Sequence, residues 1–173
     1  NGKSTVTALA GHLLRSAGVD CEVAGNIGPP VLEAFEKRLN SGVLPRAWVL
    51  ELSSYQLETT WSLAPEAAAM LNLSEDHLDR YAGLADYAAA KARIFQGAGV
   101  QVLNRCDSAS MGLALPARTQ VTFGLDAPEL AEDYGIAGDW LVRGRERILA
   151  LADQPLEALS GGGIGVACAP ESD

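Results

Sequence analysis

Asn1-Gly2-Lys3-Ser4-Thr5 opens the chain, and its reading decides the fold class. Gly-Lys-Ser is the closing triplet of the phosphate-loop pattern G-x-x-x-x-G-K-[ST], which joins a strand to a helix. Gly2 lets the backbone approach an oxyanion with no Cβ in the way. Lys3 places a point charge against β- and γ-phosphates, and the Ser4 hydroxyl suits Mg²⁺. The amides that open the following helix add the positive end of its dipole. Asn1 and Thr5 complete the expected ATP-binding stretch. The same residues also read as an ordinary helix N-terminus, with Ser4 or Thr5 as the cap. The first glycine of the pattern and the strand before it are not in the sequence, so the chain reads as a piece of a larger protein that starts in mid-motif.

Working outward, residues 4–17 read as a helix, with Val6, Leu9, Ala10, Leu13 and Leu14 on one face and Gly18 as the stop. A short strand follows at Cys21 to Ala24. Gly25-Asn26-Ile27-Gly28-Pro29-Pro30 is a turn. A second helix spans residues 31–39. Ala47 to Leu52 reads as a buried strand ending in Ser53-Ser54, and Ala67 to Leu73 as another, ending in Ser74-Glu75-Asp76-His77. A helix over 84–98 leads to a strand at Val100 to Leu103, a short helix after Asp107 and a strand at Thr119 to Phe123. This alternation predicts an α/β fold of the P-loop type: a mostly parallel sheet with helices on both faces. Past Gly124, short apolar runs at 134–136, 140–142 and 147–151 predict a small antiparallel subsheet near the C-terminus. Ligands of parallel α/β sheets gather beyond the carboxyl ends of the strands. Asn26, Glu51 with Ser53, and Glu75 to Asp79 sit at such ends, so one site is expected there, facing the phosphate loop.

Composition narrows the class. With 173 residues and 48% hydrophobic content, the chain can build one domain with its own core. A net charge of −9 argues against nucleic acid as a partner. Phosphates would have to be held locally, by lysine, Mg²⁺ and backbone amides. Cys21, Cys106 and Cys168 are odd in number and widely spaced, which fits neither a disulfide framework nor a zinc site and points to a reducing cytoplasm. No membrane-span or signal-peptide pattern is visible.

Four residues stand out against their local setting. Lys91 lies in the apolar stripe Leu84, Tyr87, Ala88, Ile94, Phe95 and Ala98. A lysine there is costly unless it is paired, chemically altered, or snorkels along apolar surface. Glu51 closes an apolar strand, where an acid suits a hard cation and where a solvated carboxylate is equally ordinary. His77 is one of two histidines and sits in the acidic run Glu75-Asp76-His77-Leu78-Asp79. Ser74 capping a helix would explain those acids, though not the histidine. Asn26 either shapes a turn or presents its amide to a ligand. His12 reads as a surface residue.

Five stretches recur together. They are the opening pentapeptide, Gly25-Asn26-Ile27-Gly28, Leu50 to Glu58 (LELSSYQLE), Asn72 to Tyr81 (NLSEDHLDRY) and Tyr87 to Phe95 (YAAAKARIF). In this order and spacing they closely resemble the middle domain of the Mur ligases, over residues 1 to about 160. The resemblance implies an ATP-dependent, amide-bond-forming ligase of peptidoglycan biosynthesis. The LELSSYQLE and EDHLDR stretches resemble the members that add D-glutamate to UDP-N-acetylmuramoyl-L-alanine through an acyl phosphate. By resemblance, Lys3 and Ser4 hold the phosphates and a first Mg²⁺, joined by Glu51. His77 and Lys91 serve a second Mg²⁺, with Lys91 carrying a carbamate. Asn26, Ser53 and Gln56 lie by the nucleotide-sugar substrate. A sister ligase using another amino acid, and a P-loop ATP-binding module with no ligase activity, are the alternatives.

The family has an N-terminal domain for the uridine part and a C-terminal domain for the amino acid, and neither is in this sequence. Leu159-Ser160-Gly161 matches the family's lead-in to a His-Asn pair. The chain continues instead as a Gly-rich tail over 161–173, a departure from the family pattern at the place where adenine contacts are expected. The chain alone is therefore expected not to be a competent ligase.

Overall fold

The computed structural model describes residues 1–74 and 80–151. The chain divides into two compact units, Asn1–Trp61 and a second that begins at Ser62.

The first unit is a parallel strand pair between two helices. Strands β1 (Cys21–Gly25) and β2 (Ala47–Glu51) run in register, with Cys21 opposite Ala47 and Gly25 opposite Glu51. Helix α1 (Lys3–Ser16) packs on both strands. Cys21 Sγ donates to the Gly11 carbonyl, and a Cβ on Gly11 would meet Val23 Cγ2 at 2.3 Å. Cys21 and Val23 therefore mark the α1 face. Successive side chains of a strand alternate, so Glu22 points the other way. There it meets Arg38 of helix α2 (Val31–Asn40), with Nε to Oε2 at 2.6 Å. Trp48, level with Glu22, lies 6.3 Å from the Phe35 ring of the same helix. Helices thus cover both faces, as the alternation predicted.

The face that α1 turns inward differs from the expected stripe. Thr7 and Gly11 are buried, while Val6, Leu9 and Leu13 stay exposed. Close approach at Gly11 decides this, because the smallest residue admits the strand where a leucine would hold it off. A short helix, α3 (Ser54–Glu58), follows β2. Sequence periodicity did not reveal it, although Ser53-Ser54-Tyr55-Gln56 carries the S-x-x-Q capping-box signature.

The second unit holds a six-stranded sheet in sequence order: β3 (Ala67–Met70), β4 (Val100–Asn104), β5 (Gln120–Phe123), β6 (Tyr134–Ala137), β7 (Trp140–Arg143) and β8 (Glu146–Ala150). Pairings from β3 to β6 are parallel, and those from β6 to β8 are antiparallel. The predicted antiparallel subsheet is real and continuous with the parallel part through Phe123 opposite Tyr134. Arg105 ties this junction, donating to Thr122 Oγ1 at 2.8 Å, the Tyr134 carbonyl at 3.0 Å and Asp126 Oδ1 at 2.8 Å.

Helix α4 (Leu84–Ala92) tightens into a 3-10 turn at Arg93–Phe95, so it ends earlier than the expected 98. Gly97 stops it, packed so closely on Ala64 that a Cβ would come within 2.7 Å of that residue's Cβ. Tyr87 and Phe95 bury against Ala68, Met70, Leu73 and Leu103, with Ala88 and Ile94 beside them. Helix α5 (Ser108–Met111) packs on β4. Gln101, fully buried in β4, donates to the Leu113 carbonyl at 3.2 Å and accepts from Leu115 N at 2.8 Å, which satisfies its amide inside the core. The expected tail at 161–173 lies outside the described residues. Among the described residues, no helix is long and apolar enough to cross a membrane.

Candidate functional site

In the first unit, α1 starts without a side-chain cap. Gly2 occupies the cap position at φ 77°, a left-handed backbone that costs glycine little. Ser4 and Thr5 lie inside the helix and are exposed, so neither is the cap. Lys3 is half-buried and Asn1 is exposed. The first turn carries no acid to occupy its amides electrostatically, and such a helix start favours an anion.

Glu51 ends β2 and is only 3% exposed. Gly25 wraps around it, because a Cβ there would lie 2.2 Å from the Glu51 carbonyl oxygen, and its φ of 119° again suits glycine. The Asn26 backbone N–H donates to that carbonyl at 2.8 Å. Its side-chain Nδ2 donates to Glu51 Oε1 at 3.0 Å. The other carboxylate oxygen, Oε2, is buried without a hydrogen-bond partner among the described residues. A buried carboxylate oxygen without a partner is costly. A hard divalent cation, which takes oxygen ligands, would relieve that cost. The orphaned oxygen of Glu51 therefore fits a hard cation such as Mg²⁺.

Ser53 and Gln56 are brought together, but by each other. Gln56 N donates to Ser53 Oγ at 3.3 Å, and Gln56 Oε1 accepts from Ser53 N at 2.8 Å and from Ser53 Oγ at 3.0 Å. This capping box starts α3 directly behind Glu51. It sets the direction in which the chain leaves β2.

The second unit has a different strand end. Asn104, at the end of β4, donates from Nδ2 to the Leu71 carbonyl at 2.8 Å and accepts from Cys106 N at 2.9 Å. Ser110 is fully buried; its hydroxyl donates to the Met70 carbonyl at 2.8 Å and accepts from Asn104 N at 3.2 Å. Asp107 caps α5 through Ser110 N at 2.6 Å and takes Leu73 N at 3.1 Å on its other oxygen. These bonds explain why β3 stops at Met70, short of the expected Leu73. Residues 71–73 leave the sheet to bind the turn after β4. The sequence reading missed this cluster. The available signal was Asn104-Arg105-Cys106-Asp107-Ser108, a strand end followed by a capping aspartate.

Lys91, in the last turn of α4, is half-buried with Nζ 4.6 Å from the centre of the Tyr87 ring. The ammonium thus faces one aromatic ring of the apolar stripe, a cation–π arrangement. His77 lies outside the described residues. Among those described, no group of three or more His, Cys, Asp or Glu gathers as a ready metal cluster. His12 is exposed, as expected.

A sequence profile of the Mur ligase middle domain matches residues 1–139. The UDP-N-acetylmuramoylalanine–D-glutamate ligase of Aromatoleum aromaticum is 53% identical, with 96% of this chain and 40% of that protein covered. The protein of the same name from Nitrosospira multiformis is 57% identical, over 86% of this chain and 33% of that protein. Among solved structures, a UDP-N-acetylmuramoyl-L-alanyl-D-glutamate–2,6-diaminopimelate ligase matches with a TM-score of 0.67 and 28% identity. That match covers 86% of this chain and 36% of the other. The chain thus spans between a third and two fifths of the length of these two curated relatives.

Proposed function

The chain belongs to the Mur ligase family, and we propose that it is the middle, ATP-binding domain of a ligase joining D-glutamate to UDP-N-acetylmuramoyl-L-alanine. The observation that carries the reading is Glu51. It is a buried carboxylate with one oxygen unpaired, in the unit whose first helix opens on Gly2-Lys3-Ser4. The identities to relatives named for D-glutamate addition support that choice of amino acid.

In the proposed reaction the γ-phosphoryl group passes from ATP to the alanyl carboxylate, leaving ADP and an acyl phosphate. The D-glutamate amine then attacks the carbonyl carbon and gives up a proton. The tetrahedral intermediate collapses with the C–O bonding pair leaving on inorganic phosphate. Lys3 and the α1 amides hold the β- and γ-phosphates. Glu51 and Ser4 hold Mg²⁺, which when bound neutralises charge on the phosphoryl oxygens. Asn26, Ser53 and Gln56 line the approach of the nucleotide-sugar substrate. His77 and Lys91 serve a second Mg²⁺. A carbamate on Lys91 would convert a half-buried cation into an anionic oxygen ligand. Such an enzyme works in the cytoplasm, where ATP and the UDP-linked precursor are found.

Phosphate release, measured in the enzyme that carries this domain with one substrate omitted at a time, tests the reading. It should require both UDP-N-acetylmuramoyl-L-alanine and D-glutamate. Release with neither would leave a simple ATPase, and release with another amino acid in place of D-glutamate would leave a sister ligase. Lys91→Ala should stop turnover, with partial recovery on adding a short-chain carboxylate. Unchanged turnover would remove the metal role of Lys91.

A further inference from the structure

We infer that Asn26 is a positioning residue for the metal carboxylate: its side-chain amide holds Glu51 Oε1 and so presents Oε2 to the cation. The inference rests on the reading of Glu51 as a metal ligand and adds a function for Asn26 beyond contact with substrate. A carboxylate only accepts hydrogen bonds, so the amide nitrogen of Asn26 must be the atom that faces it. The two residues are joined twice, by Asn26 Nδ2 to Oε1 at 3.0 Å and by Asn26 N to the Glu51 carbonyl at 2.8 Å. Gly25, opposite Glu51 in the parallel register, brings the backbone close enough for both bonds. With Oε1 engaged, the buried Oε2 is the oxygen left for a cation. Free rotation of the carboxylate would present either oxygen and weaken the ligand by the cost of ordering it. Partners of this kind, bonded to a ligand and not to the metal, typically contribute substantially to metal affinity.

The test is a double-mutant cycle on the full chain, with Mn²⁺ as the spectroscopic probe. Mn²⁺ affinity in the presence of ADP is read by electron paramagnetic resonance. The variants are Asn26→Leu, Glu51→Gln and the pair. Asn26→Leu is expected to weaken Mn²⁺ binding about tenfold or more, the effect of losing a partner that orients a ligand. Metal-free ADP affinity should stay within about twofold, because the phosphate contacts lie on α1. The double variant should bind Mn²⁺ no more weakly than Glu51→Gln alone, the mark of two residues acting through one interaction. If Glu51→Gln weakens Mn²⁺ and Asn26→Leu does not, the positioning function is overturned while Glu51 keeps its place. If neither variant changes Mn²⁺ affinity, Glu51 is not a ligand and both conclusions fall. Equal losses of Mn²⁺ and metal-free ADP in Asn26→Leu would show general damage and also overturn the inference. Asn26→Ala removes the same donor without added bulk and substitutes for Asn26→Leu should that variant not fold.

Discussion

At the end of β1, Asn26 reaches across to the carboxylate of Glu51; at the end of β4, Asn104 reaches across to the carbonyl of Leu71. Both asparagines join parallel neighbours at their carboxyl ends, where α/β sheets place ligands. The outcomes differ. Around Asn104, the Met70 and Leu71 carbonyls, the Leu73 amide and the Ser110 hydroxyl all find partners within the second unit. Around Asn26, one buried carboxylate oxygen has none. A saturated polar cluster fixes backbone, whereas an unsaturated one stores a ligand position at some cost in stability. The two strand ends should therefore respond oppositely to mutation.

The largest effect is expected at Glu51. In the enzyme proposed to carry this domain, Glu51→Gln should lower turnover about a hundredfold or more, since metal charge stabilisation is worth several kcal/mol. The folded domain should not lose stability, because a neutral amide is cheaper to bury than a carboxylate with one oxygen unpaired. Steady-state kinetics and a thermal melt on the same sample check both halves. Asn104→Ala should show the reverse order of effects. It leaves the Leu71 carbonyl and Cys106 amide unpaired and should cost about 2–3 kcal/mol in a urea titration. Asp107→Ala removes the α5 cap and the Leu73 partner, for about 1–2 kcal/mol. If Asn104→Ala leaves stability unchanged while Glu51→Gln unfolds the chain, the contrast between the two strand ends is lost.

The smallest effect concerns the staple beyond the second cluster. The hydrogen bond from Arg105 holds the exposed Asp126 carboxyl below the usual carboxylate range. A depressed folded pKa contributes stability above the unfolded pKa of about 4 and loses it as pH falls through the lower folded value. Asp126→Asn should abolish that acid-side slope, at a cost below about 1 kcal/mol at neutral pH because the pair is solvent-screened. Urea midpoints at pH 7 and pH 3 separate the two cases.

The sequence disclosed one of these strand ends and not the other, for a physical reason. Glu51 was visible because a charged residue terminates the apolar run Ala47 to Leu50, and Lys91 because it interrupts an apolar stripe. The Asn104–Asp107–Ser110 cluster consists of ordinary turn residues, and its bonds to Leu71, Leu73 and Met70 span 33, 34 and 40 positions, beyond local pattern. Apart from the short helix α3, strand and helix order was legible from periodicity, including the antiparallel run after β6. The inward face of α1 was not, because it is set by what a glycine allows to approach and not by where the leucines fall. From its residues Asn26 reads as a turn former or a ligand contact; its bond to Glu51 was not legible because the register that places it there belongs to the paired strands.

The most direct test of the central claim is urea unfolding of the parent chain and of Glu51→Gln, each with and without Mg-ATP. Without ligand, Glu51→Gln should be at least as stable as the parent. With Mg-ATP near a hundred times its Kd, the parent should gain about 2.7 kcal/mol, and the variant far less. A variant that is destabilised without ligand, yet gains as much from Mg-ATP as the parent, would show that Glu51 supports the fold and does not hold the metal.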